Sequence, residues 1–284
     1  MPDPSGTADP GGIADPRDPA SPPDTASLAD PAAVAGFVAA RARVLAAIDA
    51  ACARSGRDPS GVTLVAVSKT VSASRLRAAV AAGIVTLGEN RVQEAEGKVP
   101  AVPGAQWHLV GPLQANKVRR AVALFDVIES VDSVALAVRL DRVAGELRPG
   151  RPLPILLQVN VDADPAKAGF EPGDLADALP ALSMLPNLEL AGLMTVGRLA
   201  ATAEAARSTF RRLRTLAAGL RAVHPVLGSA LSMGMSDDYA VAVEEGATIV
   251  RVGRALFGER ADRLAGDAEP ARMRGGTPGT PDRG

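Results

Sequence analysis

Val62-Thr63-Leu64-Val65-Ala66-Val67-Ser68-Lys69 is an apolar run that ends in an amine. Read as a strand, it carries Lys69 out of a buried sheet or barrel to the carboxyl edge, where barrel folds build their sites. The amine also stands out against the composition. Of 31 basic residues only Lys69, Lys98, Lys117 and Lys167 are lysines. Arginine supplies surface charge as well as lysine does, but only a deprotonatable amine captures a carbonyl compound as an imine. The position equally suits a solvated strand terminus, and an arginine-rich chain can reflect codon usage alone.

Outward from this run, short apolar stretches alternate with helical ones. Strands are predicted over residues 62–68, 84–88, 106–110, 125–130, 153–161, 188–194, 229–233 and 248–252, with those at 84–88 and 229–233 the shortest. Segments such as 74–82, 133–147, 201–223 and 236–245 have helical composition and spacing between them. A longer helix precedes the first strand, with Asp30 as N-cap, Pro31 at the first helical position and Gly56 at the C-terminal end. Strict alternation implies a parallel sheet with right-handed crossovers. Eight repeats favour an α/β architecture closed into a single (β/α)8 TIM barrel.

The barrel is expected over residues 29–263, a length of about 235 residues that suits one such domain. Residues 1–28 are dense in Pro, Asp, Ser, Thr and Gly and read as a disordered acidic tail, and a Gly, Pro and Arg bias marks a second disordered tail over 264–284. The formal net charge of −1, with one Trp, one Tyr and five Phe, gives neither the basic field nor the aromatic platform that nucleic acids need. No stretch reaches the ~18 uninterrupted apolar residues of a membrane span, and no signal pattern opens the chain, so the cytoplasm is the expected location. Cys52 is the only cysteine and only His108 and His224 accompany it, which excludes an internal disulfide and argues against structural zinc.

In such a barrel the chemistry gathers at the strand carboxyl ends, and the polar residues fall there. Lys69 closes the first strand, and Glu89 and Asn90 follow the second. His108 lies in the third, while Asn160 and Asp162 close the fifth. Ser232-Met233-Gly234-Met235-Ser236-Asp237-Asp238 follows the seventh and Arg251-Val252-Gly253-Arg254 the eighth. Two small-residue turns after the last two strands, the first running into a helix capped by Ser236, match the recurrent phosphate site of barrels. Each glycine alone would serve equally as a tight turn. An amine on the first strand and an anion cradle after the seventh and eighth, which adjoin it, describe a site for a phosphorylated aldehyde such as pyridoxal 5′-phosphate.

The chain strongly resembles the pyridoxal phosphate homeostasis proteins, single-domain relatives of bacterial alanine racemases. The motifs, in order, are Leu64-Val65-Ala66-Val67-Ser68-Lys69-Thr70, Gly88-Glu89-Asn90-Arg91-Val92-Gln93-Glu94, Trp107-His108-Leu109-Val110-Gly111-Pro112-Leu113-Gln114, Leu231-Ser232-Met233-Gly234-Met235-Ser236-Asp237-Asp238 and Val250-Arg251-Val252-Gly253. The resemblance implies that Lys69 forms the internal aldimine with pyridoxal 5′-phosphate and that Asn90 lies near the ring 3-hydroxyl. It implies phosphate contacts from Ser232, Ser236 and the backbone of Gly253, and a place for Arg251 facing the pyridine nitrogen. Lys167 and Gly169 also resemble a family feature, without an assigned role.

A permanently protonated Arg251 donates to the pyridine nitrogen and opposes its protonation, leaving a poorer electron sink. That favours a protein that holds the cofactor, buffers it or delivers it to pyridoxal phosphate-dependent apoenzymes, without strong catalysis. The alternative is an amino-acid racemase of the same fold. Those enzymes resemble this site but add a second domain and a tyrosine base, whereas Tyr239 reads as a packing residue in the first turn of a helix. A third possibility is an interaction protein acting through its tails. Trp107 and His108 face opposite sides of one strand, His108 approaching the cofactor or hydrogen-bonded in the barrel. Asp237 and Asp238 read as helix-start carboxylates, not a metal pair. Glu89 and Glu94 have no evident partner, and a monomer is expected.

Overall fold

The first helix starts where the sequence places it. In the computed structural model, which describes residues 30–197 and 201–258, the Asp30 carboxylate accepts the Ala32 N–H at 3.0 Å ahead of α1 (Pro31–Ser55). Gly56, left-handed at φ 65°, ends the helix. Both tails expected from the sequence lie outside the described residues.

Strand and helix then alternate: β1 (Thr63–Val67), α2 (Ala73–Ala81), β2 (Thr86–Glu89), α3 (Val92–Lys98), β3 (Gln106–Leu109), α4 (Val118–Leu124), β4 (Val127–Val131) and α5 (Val134–Leu147). The second half repeats the pattern with β5 (Leu153–Gln158), α6 (Pro172–Leu182), β6 (Leu188–Met194), α7 (Arg207–Val223), β7 (Ala230–Ser232), α8 (Tyr239–Glu244), β8 (Ile249–Val252) and α9 (Arg254–Phe257). The strands pair in parallel and in chain order, and β1 pairs with β8 to close the barrel. β7 and β8 share a single register pair, Ser232 with Ile249.

Three elements differ from the sequence expectation for local reasons. The strand expected to reach residue 161 stops at Gln158, because the Asn160 side chain accepts the Asp164 N–H at 3.0 Å and donates to its carbonyl at 2.9 Å, folding the chain into a loop. α7 begins at Arg207, after a 3₁₀ turn over Glu204–Ala206. α8 begins at Tyr239, not at Ser236.

Side-chain alternation divides the core in two. Val65, Val127, Leu156, Met194 and Ile249 fill the barrel interior. The larger cluster lies between strands and helices and includes Leu87, Trp107, Ile128, Leu157 and Leu193, and each such fully buried aliphatic side chain stabilises the fold by about 1.5–3 kcal/mol. α1 is long and apolar enough, by length and composition, to cross a membrane. Here its face carrying Phe37, Val44, Ile48 and Cys52 is buried, and it packs against α2, α8 and α9.

Candidate functional site

Val65 faces the barrel interior, so Val67 and Lys69 follow on the same side of the chain and bring the amine to the barrel mouth. Lys69 is exposed and has no hydrogen-bond or ion-pair partner among the described residues. It sits in a turn closed by the Val71 N–H on the Ser68 carbonyl at 3.0 Å. Asn90 lies two residues beyond Gly88, whose missing side chain would meet Val65 Cγ1 at 2.8 Å and which therefore faces inward too. The backbone after β3 closes on Asn90: a Cβ at Gly111 would stand 2.3 Å from the Asn90 carbonyl oxygen. Gly111→Ala is expected to displace Asn90 and cost about 1–3 kcal/mol, checked by urea unfolding of the variant.

Below the mouth a polar chain crosses the interior. His108 Nδ1 and Glu129 Oε1 are 2.6 Å apart, and the Ser232 hydroxyl donates to Glu129 Oε2 at 2.5 Å. Arg251 Nη1 donates to Ser232 Oγ at 2.6 Å, and Nη2 to the Thr195 carbonyl at 2.7 Å. Glu129 is 0% exposed and Arg251 5%. Burial pushes the Glu129 carboxyl up, but His108, Arg251 and Ser232 outweigh it and hold the group below its ordinary range. Burial pulls the Arg251 guanidinium down, against Glu129 and Asp238. Glu129 is thus an ionised acceptor, and the His108 proton facing it lies on Nδ1.

This arrangement corrects the expectation for Ser232. Its one proton goes to Glu129 and one lone pair receives Arg251, so it has no donor left for a phosphate. It links the carboxylate to the arginine instead. Ser236 and Gly253, expected from different strands to share an anion, are joined: the Gly253 N–H donates to Ser236 Oγ at 3.1 Å. Ser236 does not cap the helix. The residue before α8 is Asp238, whose side chain accepts the Met235 N–H at 2.6 Å, and Asp237 pairs with Arg254. Gly234 adopts φ 90°, and a Cβ there would fall 2.5 Å from the Ala242 Cβ, so this turn is open only to glycine.

The alanine racemase N-terminal domain family matches residues 40–261. A pyridoxal phosphate homeostasis protein of Pseudomonas aeruginosa is 45% identical over 224 residues, 77% of this chain and 94% of that protein. The chain belongs to the pyridoxal phosphate homeostasis family. The Escherichia coli K12 relative of the same name is 39% identical over 227 residues, again covering 77% and 94%. PipY of Synechococcus elongatus, solved with pyridoxal phosphate bound, is 47% identical at a TM-score of 0.66, covering 75% of this chain and 100% of that one. A Clostridium difficile alanine racemase, 13% identical with a TM-score of 0.58, shares the fold and is spanned over 52% of its length.

In this member of the pyridoxal phosphate homeostasis family, Lys167 and Gly169 shape the loop after β5. The Lys167 N–H bonds the Asp164 carbonyl at 2.9 Å, and Gly169, at φ 131°, leaves 2.8 Å between its absent Cβ and the Asn160 nitrogen. Trp107 is buried in the outer core, and Tyr239 is a partly buried packing residue. Glu89 proves to be fully buried and ion-paired with Lys98 at 2.7 Å. Glu129 escaped the sequence reading. Its one signal is an acid that follows Val127 and Ile128 in the fourth predicted strand, and nothing local indicates that Ser232, about 100 residues away, completes its hydrogen bonding.

Proposed function

We propose that this chain holds pyridoxal 5′-phosphate covalently through Lys69 and thereby buffers the free cofactor or passes it to apoenzymes in the cytoplasm, as a monomer. The observation that carries the reading is an amine at the barrel mouth without a partner among the described residues, together with a buried arginine held by two hydrogen bonds. The donors fit the group. The Ser236 hydroxyl and the glycine turn at Gly234 form a cradle for a phosphate beside Gly253, and Asn90 offers a side-chain amide near the mouth. Arg251 faces the ring nitrogen and Ser232 orients Arg251. The bound cofactor supplies an electrophilic aldehyde and an electron-withdrawing ring.

Arg251, donor only, keeps a proton off the nitrogen it faces, which weakens the ring as an electron sink and favours retention over turnover. The names of the curated relatives and the cofactor bound in PipY support this reading over amino-acid racemisation. The test is titration of the full-length protein with pyridoxal phosphate, then borohydride and peptide mapping. An absorbance band near about 420 nm, with the reduced label on Lys69, is expected. A label on Lys98, Lys117 or Lys167 alone, or none, would reject the reading. Saturable deuterium exchange at the α-carbon of added amino acids, lost with Lys69, would establish the racemase alternative instead.

A further inference from the structure

Lys69 is gripped from outside the barrel on both sides. The Ser68 carbonyl accepts Lys98 Nζ at 2.9 Å, and the Ser68 hydroxyl donates to Glu89 Oε1 at 2.6 Å. On the other side, the Thr70 N–H donates to Glu94 Oε2 at 3.2 Å. Lys98 joins these groups, 2.7 Å from Glu89 and 3.7 Å from Glu94. All three charged residues come from the end of β2 and from α3, behind the wall through which Lys69 emerges. The turn they hold is strained: Thr70 adopts φ 64°, a left-handed conformation ordinarily left to glycine, and its buried hydroxyl oxygen has no partner. A β-branched residue persists in that region only where its surroundings over-determine it.

We propose that Lys98, with Glu89 and Glu94, is a positioning device for Lys69: it clamps the peptide groups on either side of that residue so that its amine is aimed at an aldehyde before one arrives. The inference rests on the proposed capture of pyridoxal phosphate. In that step the neutral Lys69 amine adds to the aldehyde carbon, a C=N bond forms and one water leaves, with no change of oxidation state. Lys98, spent on two carboxylates and a carbonyl, is not itself the capturing amine. Its role is geometric, and misplacing a reacting group by about 1 Å costs on the order of 100-fold in rate.

The experiment uses the full chain and two ligands: pyridoxal phosphate, which can bond to Lys69, and pyridoxine 5′-phosphate, which has an alcohol in place of the aldehyde and cannot. Lys98→Met is expected to slow formation of the lysine-bound absorbance band about 10–100-fold while leaving affinity for pyridoxine phosphate unchanged. Lys98→Arg, which can still donate to Ser68 and to a carboxylate, is expected to recover part of the rate. Thr70→Gly serves as a second variant that relieves backbone strain and preserves the fold. It is expected to retain thermal stability and still slow capture, because the turn is loosened. Equal capture rates in wild type, Lys98→Met and Thr70→Gly would overturn the positioning role. So would parallel loss of both ligands, which marks a merely structural residue. Failure of the wild-type chain to bind either ligand would instead overturn the cofactor reading on which the inference rests.

Discussion

Lys69→Ala is expected to abolish the absorbance band of bound pyridoxal phosphate and weaken its binding about 10²–10³-fold, equivalent to about 3–4 kcal/mol. The fold is expected to remain intact, because the Lys69 side chain is exposed and has no partner among the described residues. On the proposed reading the substitution removes the covalent bond and leaves the rest of the site unaltered. On the same reading the noncovalent donors at Ser236 and Arg251 stay in place and account for residual binding. Lys69→Arg is the sharper control: it keeps the positive charge and most of the length but cannot form the bond. Equilibrium titration with circular dichroism on the same samples makes the measurement. A band of wild-type intensity in either variant would transfer the capture to another lysine.

Glu129→Leu is expected to cost about 3–5 kcal/mol, the usual effect of stripping one partner from a buried charged network. For a barrel of this size that corresponds to a fall in melting temperature of about 6–20 °C. Three groups lose their partner or counter-charge together: the His108 Nδ1 proton, the Ser232 hydroxyl and, through Ser232, the Arg251 guanidinium. Adding Arg251→Met is expected to restore part of the loss, since an apolar replacement of both charges removes the uncompensated cation. The pH profile carries the sign. Glu129 is held below the ordinary carboxylate value of 4.5, so its contribution is fully present above that value and is lost as pH falls through the lower, folded one. Below about pH 4.5 the wild type should therefore lose stability faster than Glu129→Leu. Glu89, raised by burial despite Lys98, works in the opposite direction and in a different window: its contribution is present below 4.5 and is lost as pH rises through the raised value, and the difference between the two proteins removes it.

Much of this architecture was legible because it rests on local patterns. Eight apolar runs ending in polar residues placed the strands within a few residues, and the Asp30-Pro31 and Gly56 signals placed α1. The site divided along a different line. Lys69, Asn90, Ser236 and Gly253 could be named as candidates because they fall at or just after predicted strand ends, in motifs that resemble the family's. The partners of those residues could not be read. Whether the Ser232 hydroxyl meets a phosphate or an arginine depends on a carboxylate three strands away, and the burial of Glu89 depends on where α3 lies against the wall. Hydrogen bonds between distant strands leave no periodicity in the sequence. The cap assigned to Ser236 failed for a related reason: serine before a helix is a good cap in isolation, but here the hydroxyl is claimed by Gly253 from the next turn.

The single register pair between β7 and β8 gives that last contact a wider meaning. Backbone hydrogen bonds from Thr248 to Leu231, from Met233 to Ile249 and from Arg251 to Gly234 hold this seam, which lies under the turns that carry Ser236 and Gly253. On the proposed reading, a phosphate gripped by both turns would tie β7 to β8 from above. Such binding would stabilise the closed cylinder by mass action, so its resistance to heat would rise with the concentration of the ligand.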